Sequence, residues 1–222
     1  MGSMIELTAA DGHKFGAYRA EPAGKPRGGL VVVMEIFGVN SHIRAVADGY
    51  AADGYLVIAP AMFDRVRRNY ECGYTPPEIE ASRKLIPQAD LGNAMKDVAA
   101  AVQAVQPAGK VGIVGYCWGG TVAWKAAAEV PGLACAVPHY GGAIPNHATL
   151  QAQCPVMFHW AEQDQSIPLD AARKVQAAQP QWEHHFYDAG HGFNCEQRGS
   201  YHAPSAKLAR ERTLAFLHRH IG

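Results

Sequence analysis

No stretch of this 222-residue chain carries the roughly 20 apolar residues in a row that a membrane-crossing helix needs. Its first residues lack the basic and apolar regions of a secretory signal, and Glu6 stands where myristoylation would want Ser or Thr. There is no excess of either charge. Twenty Lys and Arg face twenty Asp and Glu, which excludes the electrostatic footprint of a nucleic-acid binder or of a protein held on an anionic membrane. The five cysteines (72, 117, 135, 154 and 195) are odd in number and form no CxxC pair, so neither a disulfide framework nor a zinc knuckle is expected. Walker loops, dinucleotide fingerprints and metal-ligand spacings are missing too, so no cofactor and no metal are expected. A cytoplasmic location is the default. Residues 1–3 read as a cloning remnant ahead of a natural start at Met4, followed by one domain over 4–222.

What is present is a set of short apolar runs. Leu30–Met34, Tyr55–Ala59 (ended by Pro60), Val111–Gly115, Ala134–Pro138 and Val156–Trp160 read as buried strands, with Glu183–Tyr187 as a sixth. Helical stretches lie between them at 42–52, 91–106, 119–129 and 170–178, and 204–219 closes the chain. In 91–106, Leu91, Met95, Val98, Val102 and Val105 recur three or four residues apart and form one apolar stripe. Strands alternating with helices specify an α/β fold with a mostly parallel sheet covered on both faces. The first 20 residues, turning at Asp11-Gly12, predict an antiparallel hairpin leading into it. In such sheets ligands bind beyond the carboxyl ends of the strands, so the segments just after strands matter most.

Gly115-Tyr116-Cys117-Trp118-Gly119 follows one strand and opens a helix. This is the G-x-S-x-G nucleophile elbow of the α/β-hydrolase fold with sulfur in place of the serine oxygen. The flanking glycines let strand and helix approach closely. The turn also sets Cys117 at a helix N-terminus, where the dipole favours a thiolate and free N–H groups stabilise an oxyanion. The Trp118 N–H is one expected donor. The bland alternative is a buried structural cysteine in a glycine-rich turn. In this fold the acid follows a later strand and the histidine comes later still. After 156–160 the chain offers Asp164, with Glu162 and Asp170 as competitors. After 183–187 it offers His191, flanked by Gly190 and Gly192, with His139 as the rival base. Cys117 is thus expected to be the nucleophile, His191 its base, and Asp164 the group that holds the imidazole's tautomer.

Glu35-Ile36-Phe37-Gly38-Val39-Asn40, Gly115-Tyr116-Cys117-Trp118-Gly119-Gly120, Gln163-Asp164 and Ala189-Gly190-His191-Gly192-Phe193 together resemble the dienelactone hydrolase (carboxymethylenebutenolidase) family, in the same order and over nearly the whole chain. The resemblance implies hydrolysis of a lactone or ester through a thioester acyl-enzyme, in the manner of dienelactone opening to maleylacetate during breakdown of chlorinated aromatics, by a monomer. It also implies that Glu35 accepts the cysteine proton as substrate binds, that the Ile36 N–H is the second oxyanion donor, and that Phe37 and Phe193 meet the substrate. Read from the residues alone, the lesser alternative for Glu35 is an ion-pair partner of Arg44 or another base, because a carboxylate just after an apolar strand needs a partner.

The chain departs from the family pattern at one place. The substrate carboxylate is gripped there by two arginines, one of them four residues after the histidine, and here that position is Cys195. Arg198, three residues further on, and Arg83, ahead of the 91–106 helix, are the candidates left for an anionic substrate. The departure keeps a second reading open, a broader carboxylesterase of the same fold. A reading from another class is a non-catalytic relative in which Cys117 is oxidised as a redox sensor.

Overall fold

Runs of five apolar residues are too short to be buried helices, and a strand buried on both faces needs a helical layer on each side. The computed structural model, which describes residues 2–222, has that arrangement. Its eight strands are β1 (Ser3–Thr8), β2 (Lys14–Ala20), β3 (Gly29–Val33), β4 (Leu56–Pro60), β5 (Val111–Tyr116), β6 (Leu133–His139), β7 (Met157–Ala161) and β8 (Glu183–Tyr187). They form one sheet in the order β1-β2-β4-β3-β5-β6-β7-β8. β1 and β2 pair antiparallel, as do β2 and β4, and from β4 through β8 every neighbour is parallel. The predicted hairpin is present, and pairing begins at Ser3, one residue before Met4.

The helices are α1 (Ser41–Ala52), α2 (Pro76–Arg83), α3 (Leu91–Val105), α4 (Trp118–Glu129), α5 (Leu169–Ala178) and α6 (Ala203–Ile221). α3 and α4 pack together on one face of the sheet. α1 and α6 lie on the other, where Arg210 of α6 forms an ion pair with Asp53 at the end of α1. The apolar stripe of α3 faces inward, with Val98 and Val105 fully buried. Among the described residues no helix is long and apolar enough to cross a membrane.

Among the described residues the one α-helix not anticipated from the sequence is α2. It begins in a capping box, in which the Glu78 carboxylate accepts hydrogen bonds from the Thr75 N–H (3.0 Å) and hydroxyl (2.5 Å), and Pro76 and Pro77 set its first turn. The long connection that carries it passes over the carboxyl ends of the strands.

Candidate active site

β5 ends at Tyr116 and α4 starts at Trp118, so the whole reversal falls on Cys117. Its backbone sits at φ 56°, ψ −121°, a conformation that side chains other than glycine seldom adopt. The surroundings hold it there. Cys117 N donates to His139 O at the end of β6 (3.1 Å), and Cys117 O accepts from Gly120 N (2.9 Å). The glycines are dictated by close approach. A Cβ on Gly115 would lie 1.9 Å from Gly119 O, and one on Gly119 would lie 2.4 Å from Met34 O.

Two loops that follow β7 and β8 build a chain of contacts to the sulfur. His191, after β8, brings Nε2 to 3.1 Å from Cys117 Sγ. Its Nδ1 lies 2.7 Å from Asp164 Oδ2, which comes from the loop after β7. Asp164 is itself fixed, because Oδ1 accepts from Ser166 N (2.7 Å) and Ile167 N (3.1 Å). Burial works against a charged imidazole here, yet the adjacent Cys117 sulfur and the Asp164 carboxylate outweigh it, so the His191 pKa is pushed up to about 10.

The competitors are elsewhere. Glu162 is exposed and faces Arg173, and Asp170 lies in the first turn of α5. His139 is fully buried, stacked on His159 with ring centroids 4.2 Å apart, and burial pushes its pKa down to about 3. Only its carbonyl serves the elbow.

Glu35 is 1% exposed and lies two residues beyond the end of β3. Its Oε1 accepts from Arg198 Nη1 at 2.8 Å, while Oε2 is buried with no partner. The ion pair expected with Arg44 or another base is present, and the base is Arg198 rather than Arg44. Arg44 instead donates to Glu71 (2.6 Å) and to Val39 O (2.7 Å). Among the described residues no hydrogen bond joins Glu35 to Cys117, whose sulfur is held by His191.

Cys117 and His191 open into a cavity of about 580 Å³. Ile36, Phe37, Ile79, Ile86 and Trp118 give it an apolar wall, while Arg83 and Arg198 reach it from α2 and from the loop after His191. Arg198 runs so close to the histidine loop that a Cβ on Gly192 would lie 2.2 Å from its Nη1. Arg83 has no ion-pair partner among the described residues. Ile36 and Trp118 line the cavity beside Cys117, and among the described residues neither backbone N–H donates to a backbone or side-chain acceptor.

Phe193 does not reach the cavity. It is fully buried with its ring centroid 5.4 Å from Tyr140 and 5.1 Å from Tyr187, so its expected contact with substrate is corrected to a place in the core. The physical reason is that Gly192, at φ 78°, turns the chain inward immediately after the histidine. Tyr140, which sequence reasoning did not single out, packs edge-on against His191 with centroids 5.1 Å apart. Ile79 and Ile86 were missed as well. Both belong to the connection around α2, whose capping signal at Thr75 and Glu78 was there to be read.

Similarity to known proteins runs over nearly the whole chain. The profile of the Dienelactone hydrolase family matches residues 15–221. A carboxymethylenebutenolidase from Pseudomonas putida is 33% identical over 227 residues, covering 96% of this chain and 94% of its own. A Synechocystis protein provisionally named a carboxymethylenebutenolidase is 34% identical over 214 residues, covering 87% of each chain. The crystal structure of a Klebsiella pneumoniae protein provisionally named a dienelactone hydrolase superposes with a TM-score of 0.81 at 31% identity, covering 96% of this chain and 98% of that one.

Proposed function

This chain belongs to the dienelactone hydrolase family, whose members cleave ester and lactone bonds, and from that premise we propose that it opens an anionic lactone through a Cys117–His191–Asp164 triad and a thioester intermediate. The observation that carries the reading is the unbroken line from Asp164 Oδ2 to His191 Nδ1 (2.7 Å) and from His191 Nε2 to Cys117 Sγ (3.1 Å), facing a cavity of substrate size.

In this mechanism the Cys117 thiolate, paired with the His191 imidazolium, attacks the lactone carbonyl. The oxyanion is taken in this proposal by the Ile36 and Trp118 N–H groups, a role supported by their lack of an acceptor among the described residues and by both residues lining the cavity. Collapse breaks the ring C–O bond, and the expelled oxygen takes the proton from His191. The acyl chain then hangs on sulfur as a thioester. Neutral His191 next removes a proton from water, the hydroxide adds to the thioester carbonyl, and the thiolate leaves with a second carboxylate as product. With dienelactone the product is maleylacetate. Glu35 lies beside this machinery and serves a second proposed route that starts from the Cys117 thiol: its carboxylate accepts the thiol proton as substrate arrives and yields it to the expelled oxygen in place of the imidazolium. Its unpaired Oε2 is the atom that this route uses, and the route is closed whenever that oxygen is otherwise bound.

Arg83, unpaired on the cavity wall, is the proposed grip on the substrate carboxylate. Arg198, already neutralised by Glu35, sets the charge around it. A broader carboxylesterase is the second reading. It is favoured by the buried Cys195 at the position where the family pattern has an arginine, and by the apolar cavity wall. The test is to assay the protein and its Cys117→Ala variant on a carboxylated dienelactone and on p-nitrophenyl acetate. A strong preference for the lactone with a dead variant supports the first reading. Turnover of the neutral ester alone moves the substrate to the second, and activity surviving Cys117→Ala overturns both.

A further inference from the structure

Glu35, His42 and Cys195 bring a carboxylate oxygen, an imidazole nitrogen and a sulfur within 4.8 Å of one another, and all three residues are buried. They come from the turn after β3, the first turn of α1 and the loop after His191, so no sequence spacing announces them. Among the described residues none of the three is hydrogen-bonded to Cys117, His191 or Asp164.

Two polar atoms of this cluster are left unused by the fold. Glu35 gives Oε1 to Arg198, but Oε2 is buried without a partner. His42 Nδ1 is buried too, and although Glu196 Oε2 lies 3.0 Å away, the two are out of line for a hydrogen bond. Buried polar atoms are costly when unsatisfied, and a carboxylate oxygen most of all. A cation between the three donors would satisfy them.

We propose that Glu35, His42 and Cys195 form a binding site for one divalent cation of the zinc class. The donor set decides the class. A thiolate, an imidazole and a carboxylate suit borderline-soft ions, whereas calcium and magnesium take oxygen shells. Metal–donor bonds of about 2.0–2.3 Å at tetrahedral angles put donors roughly 3.3–3.8 Å apart, so side-chain rotations of about 1 Å close the shell. A water completes the tetrahedron. On binding, the Cys195 S–H bond gives way to a sulfur–metal bond and its proton leaves to solvent. The thiolate and the Glu35 carboxylate balance the ion's two charges. Arg198 stays on Oε1, the kind of outer-shell hydrogen bond that ligating carboxylates receive, and the Glu196 carboxylate beside His42 offsets the guanidinium. The way in is a second cavity of about 330 Å³, lined by His42 and Glu196 among others.

The test uses the whole chain carrying Cys117→Ser, so that the nucleophile's own thiol cannot act as ligand. Titration with Co²⁺ should give one saturable site with a thiolate-to-cobalt charge-transfer band in the near ultraviolet and visible bands of tetrahedral intensity, all displaced by one equivalent of Zn²⁺. Adding Cys195→Ser should abolish the charge-transfer band, and His42→Gln should weaken zinc binding by at least about tenfold, the scale that even outer-shell changes reach. The proposal is overturned if the Cys117→Ser protein develops no such band, or if the band persists once Cys195 is also replaced. Should the Cys195 variant fail to fold, Glu35→Gln in the same background decides the matter. It keeps the volume but removes the anionic ligand, so unchanged zinc affinity there overturns the site.

Discussion

Replacing Asp164 by Asn changes one atom and should remove the base without moving it. Asp164 Oδ1 accepts from Ser166 N and Ile167 N, and Oδ2 faces His191 Nδ1. An asparagine must keep its carbonyl oxygen on the two backbone donors. Turned the other way, its NH₂ would confront them and leave both unpaired, at about 1–3 kcal/mol each. The NH₂ therefore points at His191 Nδ1, which has to become an acceptor. The ring proton moves to Nε2, the atom 3.1 Å from Cys117 Sγ, and there it can only donate. The histidine then cannot take the thiol proton. In the serine-protease triad the corresponding wrong tautomer costs about 10⁴ in kcat, or about 5.4 kcal/mol of barrier. A loss of that order is expected here, with the fold intact by circular dichroism. The assay is kcat on p-nitrophenyl acetate, with the rate of iodoacetamide alkylation at Cys117 beside it. Both should fall, because both need the thiolate. An Asp164→Asn enzyme that keeps kcat within about tenfold of the parent refutes the reasoning.

Two further outcomes follow from buried charge. Arg198→Gln strands the Glu35 carboxylate, 1% exposed, and should cost about 3–5 kcal/mol in urea unfolding. The Glu35→Gln/Arg198→Gln double variant should recover much of that, and a single-variant cost under about 1 kcal/mol counts against the pair. His139 and His159 are held neutral by burial, His139 with a pKa pushed down to about 3. Because the unfolded chain takes up protons near pH 6.5 and the folded one refuses them, stability is complete above about 6.5 and is lost as pH falls toward 3. The loss should run at about 1.4 kcal/mol per pH unit for each histidine. Urea midpoints measured across that range check it, and His139→Gln should remove one proton from the slope.

The sheet was legible because each central strand is buried on both faces and reads as an uninterrupted apolar run, and because Cys117, Asp164 and His191 each follow a strand end that the pattern marks. α2 was not, since only Ser82 of its eight residues is buried and it has no apolar stripe to betray it. Partners distant in the chain were not legible either. Glu35 and Arg198 lie 163 residues apart, and nothing local favours Arg198 over Arg44. Phe193 was misplaced for a related reason. Proximity to His191 in sequence does not fix on which side of the backbone a side chain falls; Gly192 next to it has a positive φ, and Phe193 lies in the core.

The backbone of Cys117 links activity to stability. A residue other than glycine at φ 56°, ψ −121° stores on the order of 1–3 kcal/mol, set against the marginal stability of a folded domain. That energy is released when the chain unfolds, so the proposed nucleophile is a standing tax on the native state. Selection for thermal stability alone would replace the cysteine with glycine, and the strained thiol persists only where turnover is worth more than those few kilocalories.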